Sequence, residues 1–505
     1  MTALETTQPV AVIGAGTMGA GIVQVAATAG HDVYLFDTSG EAIERGMAQI
    51  EKFLGRSVTR GRMDDETRIA ILGRIHCCHA LQDLAPAQLV IEAIIENPEV
   101  KRSVFSQLED ILAEDAILAS NTSSISITEI AAGLKRPERM VGMHFFNPAP
   151  IMKLVEIISG LESDAQVAET VFDTAVSWGK KAVHAKSTPG FIVNRVARPF
   201  YSEALRILQE GGADIPTIDS CIREAGGFRM GPFELMDLIG NDINFSVTKS
   251  VYNAYFQEPR YRPSLIQQEQ VAAGRFGRKS GHGYYDYRDG ATPPEPHTAE
   301  SAPAPAIVTL IGDNPLLEPL VTLAEEAGIT LKKESSDDLS GFMIDDVMLL
   351  LSDGVTASEL TGYLDQPVVV FDLALDYRAA SRIAIARGDQ LSDDDLARAT
   401  GFLQALGKKV SVINDCPGLI VMRIVAMLAN EGCDAVYQGV TSPEGVDTAM
   451  MNGVNYPRGP IGWAQDIGLD HIFNVLDALH NFYGEERYRT SPLLRRAVTT
   501  ESDLL

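Results

Sequence analysis

A chain of 505 residues is too long for a single hydrophobic core, so more than one domain is expected. Its 45% hydrophobic and 22% charged residues are ordinary for a globular protein, and no apolar run is long enough to span a bilayer. A net charge of -26 argues against nucleic acid or an anionic membrane surface as partner, so any anionic ligand must be met by local donors.

The five cysteines, Cys77, Cys78, Cys221, Cys416 and Cys433, form no C-x-x-C pair and suit a reducing cytoplasm. Residues 1–9 carry no basic stretch ahead of an apolar run, and no signal peptide is expected.

In chain order, Val10–Ile13, Asp32–Phe36, Leu89–Ile91, Ile117–Ser120 and Met140–Met143 read as buried strands, and Glu41–Ser57 and Val100–Ile111 as amphipathic helices between them. Alternating strand and helix predicts a parallel sheet covered on both faces, a Rossmann-type α/β domain over 1–187. Gly14-Ala-Gly16-Thr17-Met18-Gly19 follows the first strand and opens a helix. Gly14 permits the tight turn, Gly16 lets backbone approach a pyrophosphate, and Gly19 lets helix and strand pack closely. The second strand ends at Asp37, whose carboxylate suits both ribose hydroxyls and repels a 2′-phosphate. The expected cofactor is therefore NAD rather than NADP. An unliganded glycine turn is the competing reading, and strand, helix and acid together weigh against it.

After Pro189 the pattern becomes helical, giving an all-α domain over 188–288 punctuated by Gly211-Gly212, Gly226-Gly227 and Gly231-Pro232. A Pro- and Ala-rich stretch over 289–305 reads as an extended linker. Ala306–Ile311 and Val368–Phe371 look like strands of a reduced α/β domain over 306–404, with acidic patches around Asp337 and Asp345. Residues 405–505 repeat the first helical domain. Gly179-Lys-Lys181 matches Gly407-Lys-Lys409, and Pro189-Gly-Phe-Ile-Val193 matches Pro417-Gly-Leu-Ile-Val421. Arg195 matches Arg423, Glu203 matches Glu431, and Asp219 matches Asp447. Gly231-Pro232 matches Gly459-Pro460, and Arg260-Tyr-Arg262 matches Arg487-Tyr-Arg489. This is an internal duplication.

His144 opens His144-Phe-Phe-Asn-Pro148 after a predicted strand, and Glu156 lies twelve residues on. Oxidising an alcohol by hydride transfer needs a base for the hydroxyl proton, and histidine suits that near neutral pH. A carboxylate on its other ring nitrogen would fix the tautomer. On spacing alone, a core histidine near an unrelated glutamate is the simpler reading. His76-Cys-Cys-His79 resembles metal ligands, but neighbours on a strand point to opposite faces and no second cluster completes a tetrahedral set, so no metal is expected. Asp393-Asp-Asp395 reads as a solvated helix start.

From Pro9 to Arg288 the chain resembles the L-3-hydroxyacyl-CoA dehydrogenase family. Besides the glycine turn, the motifs are Glu92-Ala-Ile-Ile-Glu96-Asn97, Ser120-Asn-Thr-Ser-Ser124, His144-Phe-Phe-Asn-Pro148, Lys153-Leu-Val-Glu156, Pro189-Gly-Phe-Ile-Val-Asn-Arg195, Gly231-Pro-Phe-Glu-Leu235 and Phe276-Gly-Arg-Lys-Ser-Gly-His-Gly-Tyr-Tyr285. The resemblance implies NAD-dependent oxidation of an (S)-3-hydroxyacyl-CoA, with His144 as base, Glu156 as its partner, and Ser123 and Asn194 on the reacting oxygens. It implies Glu96, Lys101 and Asn147 at the nicotinamide end and Lys279 reaching the cofactor from the helical domain. Arg60, with Arg56 and Arg62 in a basic insertion, is the candidate for the coenzyme A phosphates; a solvated helix end is the bland alternative.

The full layout resembles a longer bacterial form associated with phenylacetate breakdown, which implies 3-hydroxyadipyl-CoA as substrate. The alternatives are 3-hydroxybutyryl-CoA, general fatty-acid β-oxidation, or a catalytically silent NAD-binding relative. Dehydrogenases of free hydroxy acids share the fold but usually carry a lysine where His144 and Glu156 stand here. The second half has Met422 where the first has Asn194, and Ile311-Gly-Asp-Asn-Pro315 in place of a glycine fingerprint. It is expected to be non-catalytic and to supply a packing surface, making the protein a homodimer or a pseudo-dimeric monomer. A distal carboxylate on the substrate would need an arginine or lysine, and the sequence singles none out.

Overall fold

The computed structural model describes residues 3–336 and 339–505, so the acidic patch at Asp337 lies outside the described residues. The chain divides into two compact units, one holding the residues up to Arg195 with Gln438–Val454, the other Val196–Tyr437 with Asn455–Leu505.

The first unit is built on strands β1 (Val10–Ile13), β2 (Val33–Phe36), β3 (Ile75–Cys78), β4 (Leu89–Glu92), β5 (Ile117–Ser120), β6 (Met140–Phe145), β7 (Leu154–Ser159) and β8 (Lys181–Lys186). They form one sheet in the order β3-β2-β1-β4-β5-β6-β7-β8. All neighbours are parallel except β6 and β7, which run antiparallel with His144 opposite Glu156. The central strands are buried on both faces, which is why they read as unbroken apolar runs. Val12, Leu35, Ile91 and Val141 are wholly inside, each stabilising the fold by roughly 1.5–3 kcal/mol relative to exposure. Between β2 and β3 an insertion of two helices, Gly40–Thr59 and Asp65–Gly73, is started by Ser39 and Asp64, which accept from the Ala42 and Thr67 N–H groups.

The second unit contains β9 (Ile307–Ile311), β10 (Thr330–Glu334), β11 (Gly341–Ile344), β12 (Val347–Leu351), β13 (Val368–Phe371), β14 (Arg382–Arg387) and β15 (Lys409–Val412). Their order, β10-β9-β11-β12-β13-β14-β15, matches β2-β1-β4-β5-β6-β7-β8 of the first sheet in position, without β3, but β11 runs antiparallel to both neighbours where β4 runs parallel to both of its own. This sheet is richer than the two strands legible in the sequence, and its last strand falls past the expected boundary at 404. Edge strand β10 is mostly exposed and carries Lys332, Lys333 and Glu334, so it has no apolar run to betray it. Residues 297–302, expected as a free linker, are tied down: Ala299 N–H donates to Val410 O and Arg382 donates to His297 O.

The duplication holds element for element. Helices Arg198–Gln209, Ile215–Glu224, Pro232–Ile239, Asn241–Ala254 and Leu265–Ala272 correspond to Val421–Tyr437, Pro443–Gly453, Pro460–Ile467, Leu469–Tyr483 and Pro492–Thr500. Even a strained backbone is repeated, with φ of 47° at Phe191 and 53° at Leu419. Within the second unit the copies face each other reciprocally. Arg423 and Tyr488 donate to Glu203 at 2.9 Å each, while Arg260 and Tyr261 donate to Glu431 at 3.2 and 2.6 Å. Such i-to-j and j-to-i pairing is the signature of a two-fold interface.

The copies also exchange a helix. Pro443–Gly453 packs on β7 and β8 in the first unit, and its counterpart Ile215–Glu224 packs on β14 in the second. The segment expected as one domain over 405–505 is thus divided between the units. Among the described residues no helix is long and apolar enough to cross a membrane.

Candidate active site

The glycine turn lies between β1 and the helix Thr17–Ala29. Gly14 has φ of 103°, and a Cβ there would lie 2.5 Å from Ala93 O; one on Gly19 would lie 1.7 Å from Gly14 O. Both positions therefore exclude any side chain. A Cβ on Gly16 would meet nothing within 4 Å, so the space above it is open. Gly16 is the helix N-cap and brings no side chain to the first N–H groups, and Gly16 and Thr17 are exposed, with Met18 half-buried beside them. A helix start with free N–H groups and open space above a glycine fits a pyrophosphate. Asp37, at the end of β2, accepts from Ala15 N–H at 2.8 Å and Ser39 N–H at 2.9 Å. These bonds aim the carboxylate along the turn and leave lone pairs for ribose hydroxyls.

At the same sheet edge, Glu96 gathers the Asn121-Thr-Ser-Ser124 segment. Its Oε1 accepts from the Thr122 hydroxyl at 2.7 Å, Ser123 N–H at 3.0 Å, and the Ser124 hydroxyl at 2.9 Å. The Ser123 hydroxyl stands 3.4 Å from the same oxygen. Burial would raise the Glu96 carboxyl, but the Thr122 hydroxyl, the Lys101 ammonium and the Ser124 hydroxyl outweigh it and hold it below the usual range.

Lys101 lies beneath this group. It is 1% exposed, with its ammonium 2.6 Å from Glu92 and 3.3 Å from Glu96, so it braces Glu96. Glu92, which the sequence did not single out, also accepts from Ser120 Oγ at 2.7 Å. The nine-residue spacing from strand end to helix face was the available signal for this pair.

His144 and Glu156 face each other across the β6–β7 ladder. The Nδ1–Oε2 distance is 2.7 Å, and the two residues are 6% and 1% exposed. Nε2 has no hydrogen bond among the described residues, and Phe146 and Phe191 flank the ring at 4.6 and 5.8 Å. Glu156 Oε1 accepts from Ile192 N–H at 3.1 Å and Val193 N–H at 3.0 Å, so the carboxylate that orients the histidine also anchors the chain just ahead of half-buried Asn194. Asn121 Oδ1 accepts from Phe145 N–H at 2.8 Å and pins the strand end.

Asn147 is exposed on the following loop. That loop is held by Lys180, whose ammonium donates to Ala149 O at 2.6 Å and Met152 O at 2.9 Å; burial pulls its pKa down to about 8. Sequence reasoning missed this role although the repeat pointed to it. Lys408, the matching residue, donates to Arg378 O and Ala380 O in the second sheet.

Arg60 and Lys279 complete the predicted set. Arg60 ends the helix Gly40–Thr59, exposed like Arg56 and Arg62, and none of the three forms an ion pair among the described residues. Lys279 belongs to the second unit, where Asp242 holds it at 2.5 Å. His76 sits 3.2 Å from Asp32, and no group of three metal-ligating side chains occurs among the described residues.

Sheet order, glycine turn and acidic strand end define a dinucleotide-binding α/β protein with a His–Glu pair at the carboxyl edge of its sheet. The family models agree in kind. The 3-hydroxyacyl-CoA dehydrogenase NAD-binding domain matches 9–188, the C-terminal domain of the same family matches both 190–287 and 418–502, and the 3-hydroxybutyryl-CoA dehydrogenase reduced Rossmann-fold domain matches 349–417. The chain is 46% identical over 495 residues to the 3-hydroxyadipyl-CoA dehydrogenase of Escherichia coli (strain K12), covering 98% of each. A solved structure of 3-hydroxybutyryl-CoA dehydrogenase from Escherichia coli K12 substr. MG1655 superimposes with a TM-score of 0.90 at 46% identity over 99% of each chain. The mitochondrial hydroxyacyl-coenzyme A dehydrogenase of Sus scrofa is 39% identical over 286 residues, 55% of this chain and 91% of its own. This chain belongs to the 3-hydroxyacyl-CoA dehydrogenase family, and its cofactor is NAD.

Proposed function

We propose that the protein oxidises the 3-hydroxyl of 3-hydroxyadipyl-CoA to the ketone, with His144 as the base. The 2.7 Å contact between His144 Nδ1 and Glu156 Oε2 carries this reading. With Nδ1–H donated to the carboxylate, the lone pair is on Nε2, where it takes the hydroxyl proton. The imidazolium that forms then faces a buried carboxylate. Ser123 and Asn194 supply donors where negative charge develops on the substrate oxygen. Gly14, Gly16, Thr17, Met18 and Gly19 would hold the pyrophosphate and Asp37 the ribose, with Glu96 and Asn147 toward the nicotinamide. Bound NAD supplies the acceptor for the hydride that leaves C3. The C3–H bond yields the hydride, the O–H proton goes to Nε2, and the C=O bond forms.

The adipyl ester is supported by the relative of nearly equal length. The solved relative of the same length carries the 3-hydroxybutyryl name, which favours the shorter ester as the second reading. Arg60, with Arg56 and Arg62 beside it, would meet the coenzyme A phosphates. The reciprocal helical copies support a chain that serves as its own dimer partner, and the five free thiols support a cytoplasmic site of action. Replacing His144 with Gln is expected to slow turnover of either thioester by ~10²–10⁴-fold while NAD affinity, read by calorimetry, stays within about threefold. Undiminished turnover would mean that the base is another group.

A further inference from the structure

The second unit holds a cavity of about 200 Å³ whose wall carries Arg198, Arg206, Arg262 and Arg487 and, among the described residues, no carboxylate. Gln209 and Arg262 in that wall are exposed, so small solutes can reach it. In a chain of net charge -26 this gathering of guanidiniums is a local feature. Arg206 is answered by Glu485 at 3.0 Å. Arg198 and Arg487, only 5% and 4% exposed, are not answered in the same way. Arg198 donates from Nη1 to the Thr248 hydroxyl at 2.9 Å, lies 5.0 Å from the centre of the Tyr201 ring, and forms no ion pair among the described residues. The Arg487 guanidinium makes no hydrogen bond among the described residues. It stands 3.5 Å from Glu485 and 3.6 Å from Glu203, carboxylates already engaged by Arg206 and, at 2.9 Å, by Arg423. Nε of both arginines and the hydroxyl of Ser202, a helical turn past Arg198, are buried without a partner. A guanidinium has several N–H donors, and keeping it buried with most of them unpaired is costly unless an anion comes to meet it.

The duplication supplies an internal control. Arg260 is the counterpart of Arg487, Glu431 of Glu203, and Asp434 of Arg206. Arg260 is fully answered: it donates to Glu431 at 3.2 Å, to Asp434, and to the carbonyls of Arg487 and Arg489 at 3.3 and 2.8 Å. At that position the chain brings its own carboxylate, Asp434, to the buried guanidinium. At the cavity the same position is Arg206, and Arg198 stands where the other copy has Ala426. An acid has become a base and an apolar residue has become a second base. The helical fold therefore does not require this cluster, and the copy that lacks an internal carboxylate is the one with an open cavity in front of its arginines.

We infer that this cavity is a binding site for a phosphate group, free or carried by a small ester, held by Arg198 and Arg487 with the Ser202 hydroxyl beside them. Its volume is several times the ~30 Å³ that one water takes up in the liquid, which leaves room for a group of that size. A phosphate monoester near neutral pH carries roughly -1.5 to -2 charges, enough for both guanidiniums, where a monocarboxylate would neutralise one. Its oxygens accept in the fork geometry that arginine offers. Arg198 belongs to the first helical copy and Arg487 to the second, so the anion would tie the two copies together inside the second unit. The site would fill whether or not His144 is the catalytic base.

The test titrates the whole protein, saturated with NAD so that the glycine turn is occupied, with inorganic phosphate and separately with glycerol 3-phosphate. Ionic strength is held constant with chloride. Calorimetry is expected to show saturable binding with a Kd below about 1 mM, and the melting temperature should climb with the logarithm of the phosphate concentration. In Arg198→Met the affinity should fall at least ~30-fold, the lower end of what losing one partner of a buried charge pair costs, and the rise in melting temperature should vanish. Arg198→Lys should recover part of both. Tighter binding of the ester would assign the site to a phosphorylated metabolite and tighter binding of the inorganic ion to free phosphate, and either upholds the site. No binding beyond that of chloride, or binding unchanged in Arg198→Met, would overturn it. Wild-type crystals grown with NAD and soaked in selenate decide the matter even if the variants fail to fold: an anion between Arg198 and Arg487 upholds the site, and anions found only elsewhere refute it.

Discussion

Asp372 stands in the second sheet at the register position that His144 holds in the first. Lys181 pairs with Leu154 and Lys409 with Arg382, so Ala384 is the counterpart of Glu156. Asp372 donates its N–H to Ala384 O, as the residue opposite it in the ladder. The dyad has become aspartate and alanine, and the carboxylate has changed strands while keeping one task. Asp372 accepts from the N–H groups of Ile420, Val421 and Met422, the counterparts of Ile192, Val193 and Asn194, two of which donate to Glu156. Anchoring the helical domain survived in the second half without the imidazole.

On the proposed mechanism Glu156 serves chemistry as well as fold, and two substitutions should separate these. Glu156→Gln keeps an oxygen for the Ile192 and Val193 N–H groups, but its amide can donate to Nδ1 and force the proton onto Nε2. Turnover is expected to drop ~10²–10⁴-fold with little change in melting temperature. Glu156→Ala should lose the same activity and also leave two buried N–H groups unpaired, at about 1–3 kcal/mol each in denaturant unfolding. Equal stability of the two variants would refute the anchoring role.

Asp37→Ala should weaken NAD and relax discrimination against NADP by about tenfold or more, because the carboxylate that repels a 2′-phosphate is gone. The ratio of kcat/KM for the two cofactors is the readout. Since Asp37 also accepts from Ala15 and Ser39, a small fall in melting temperature should accompany the change. An unaltered cofactor ratio would refute the ribose assignment.

Burial pushes the Asp372 carboxyl from 3.8 up to about 6, against the pull of the three N–H groups. With the folded pKa above the unfolded one, the native state holds the extra proton between these values. The group's contribution to stability is fully present below pH 3.8 and is lost as pH rises through 6. Relative to Asp372→Asn, the wild type should therefore gain stability as pH falls from 7 to 4, by at most about 3 kcal/mol. Urea titrations of both proteins across that window would show it, and a difference independent of pH would contradict it.

A chain ending at Pro296 lacks the helix Pro443–Gly453 that covers β7 and β8, and it lacks Arg423 and Tyr488 opposite Glu203. It should recover these contacts by pairing with a second copy. Sedimentation should then show a dimer for the shortened chain and a monomer for the whole one. A shortened chain that remains a soluble, fully active monomer would rule out the idea that the second half acts as a built-in partner.

The nucleotide fold, the glycine turn, NAD as cofactor and the duplication were all legible in the sequence. Each depends on neighbours close along the chain or on a repeat that can be counted: a strand followed by glycines, an acid at a strand end, Gly179-Lys-Lys181 echoed at Gly407-Lys-Lys409. What needed the tertiary structure was the identity of partners far apart in sequence. Spacing alone made His144 and Glu156 an unremarkable pair until the antiparallel β6–β7 register set them face to face. The ion pairs of Lys101 with Glu92 and Glu96 were likewise set by the fold and not by local pattern. The physical reason is that burial and pairing are set by what the rest of the chain brings to a side chain, and local pattern does not carry that information.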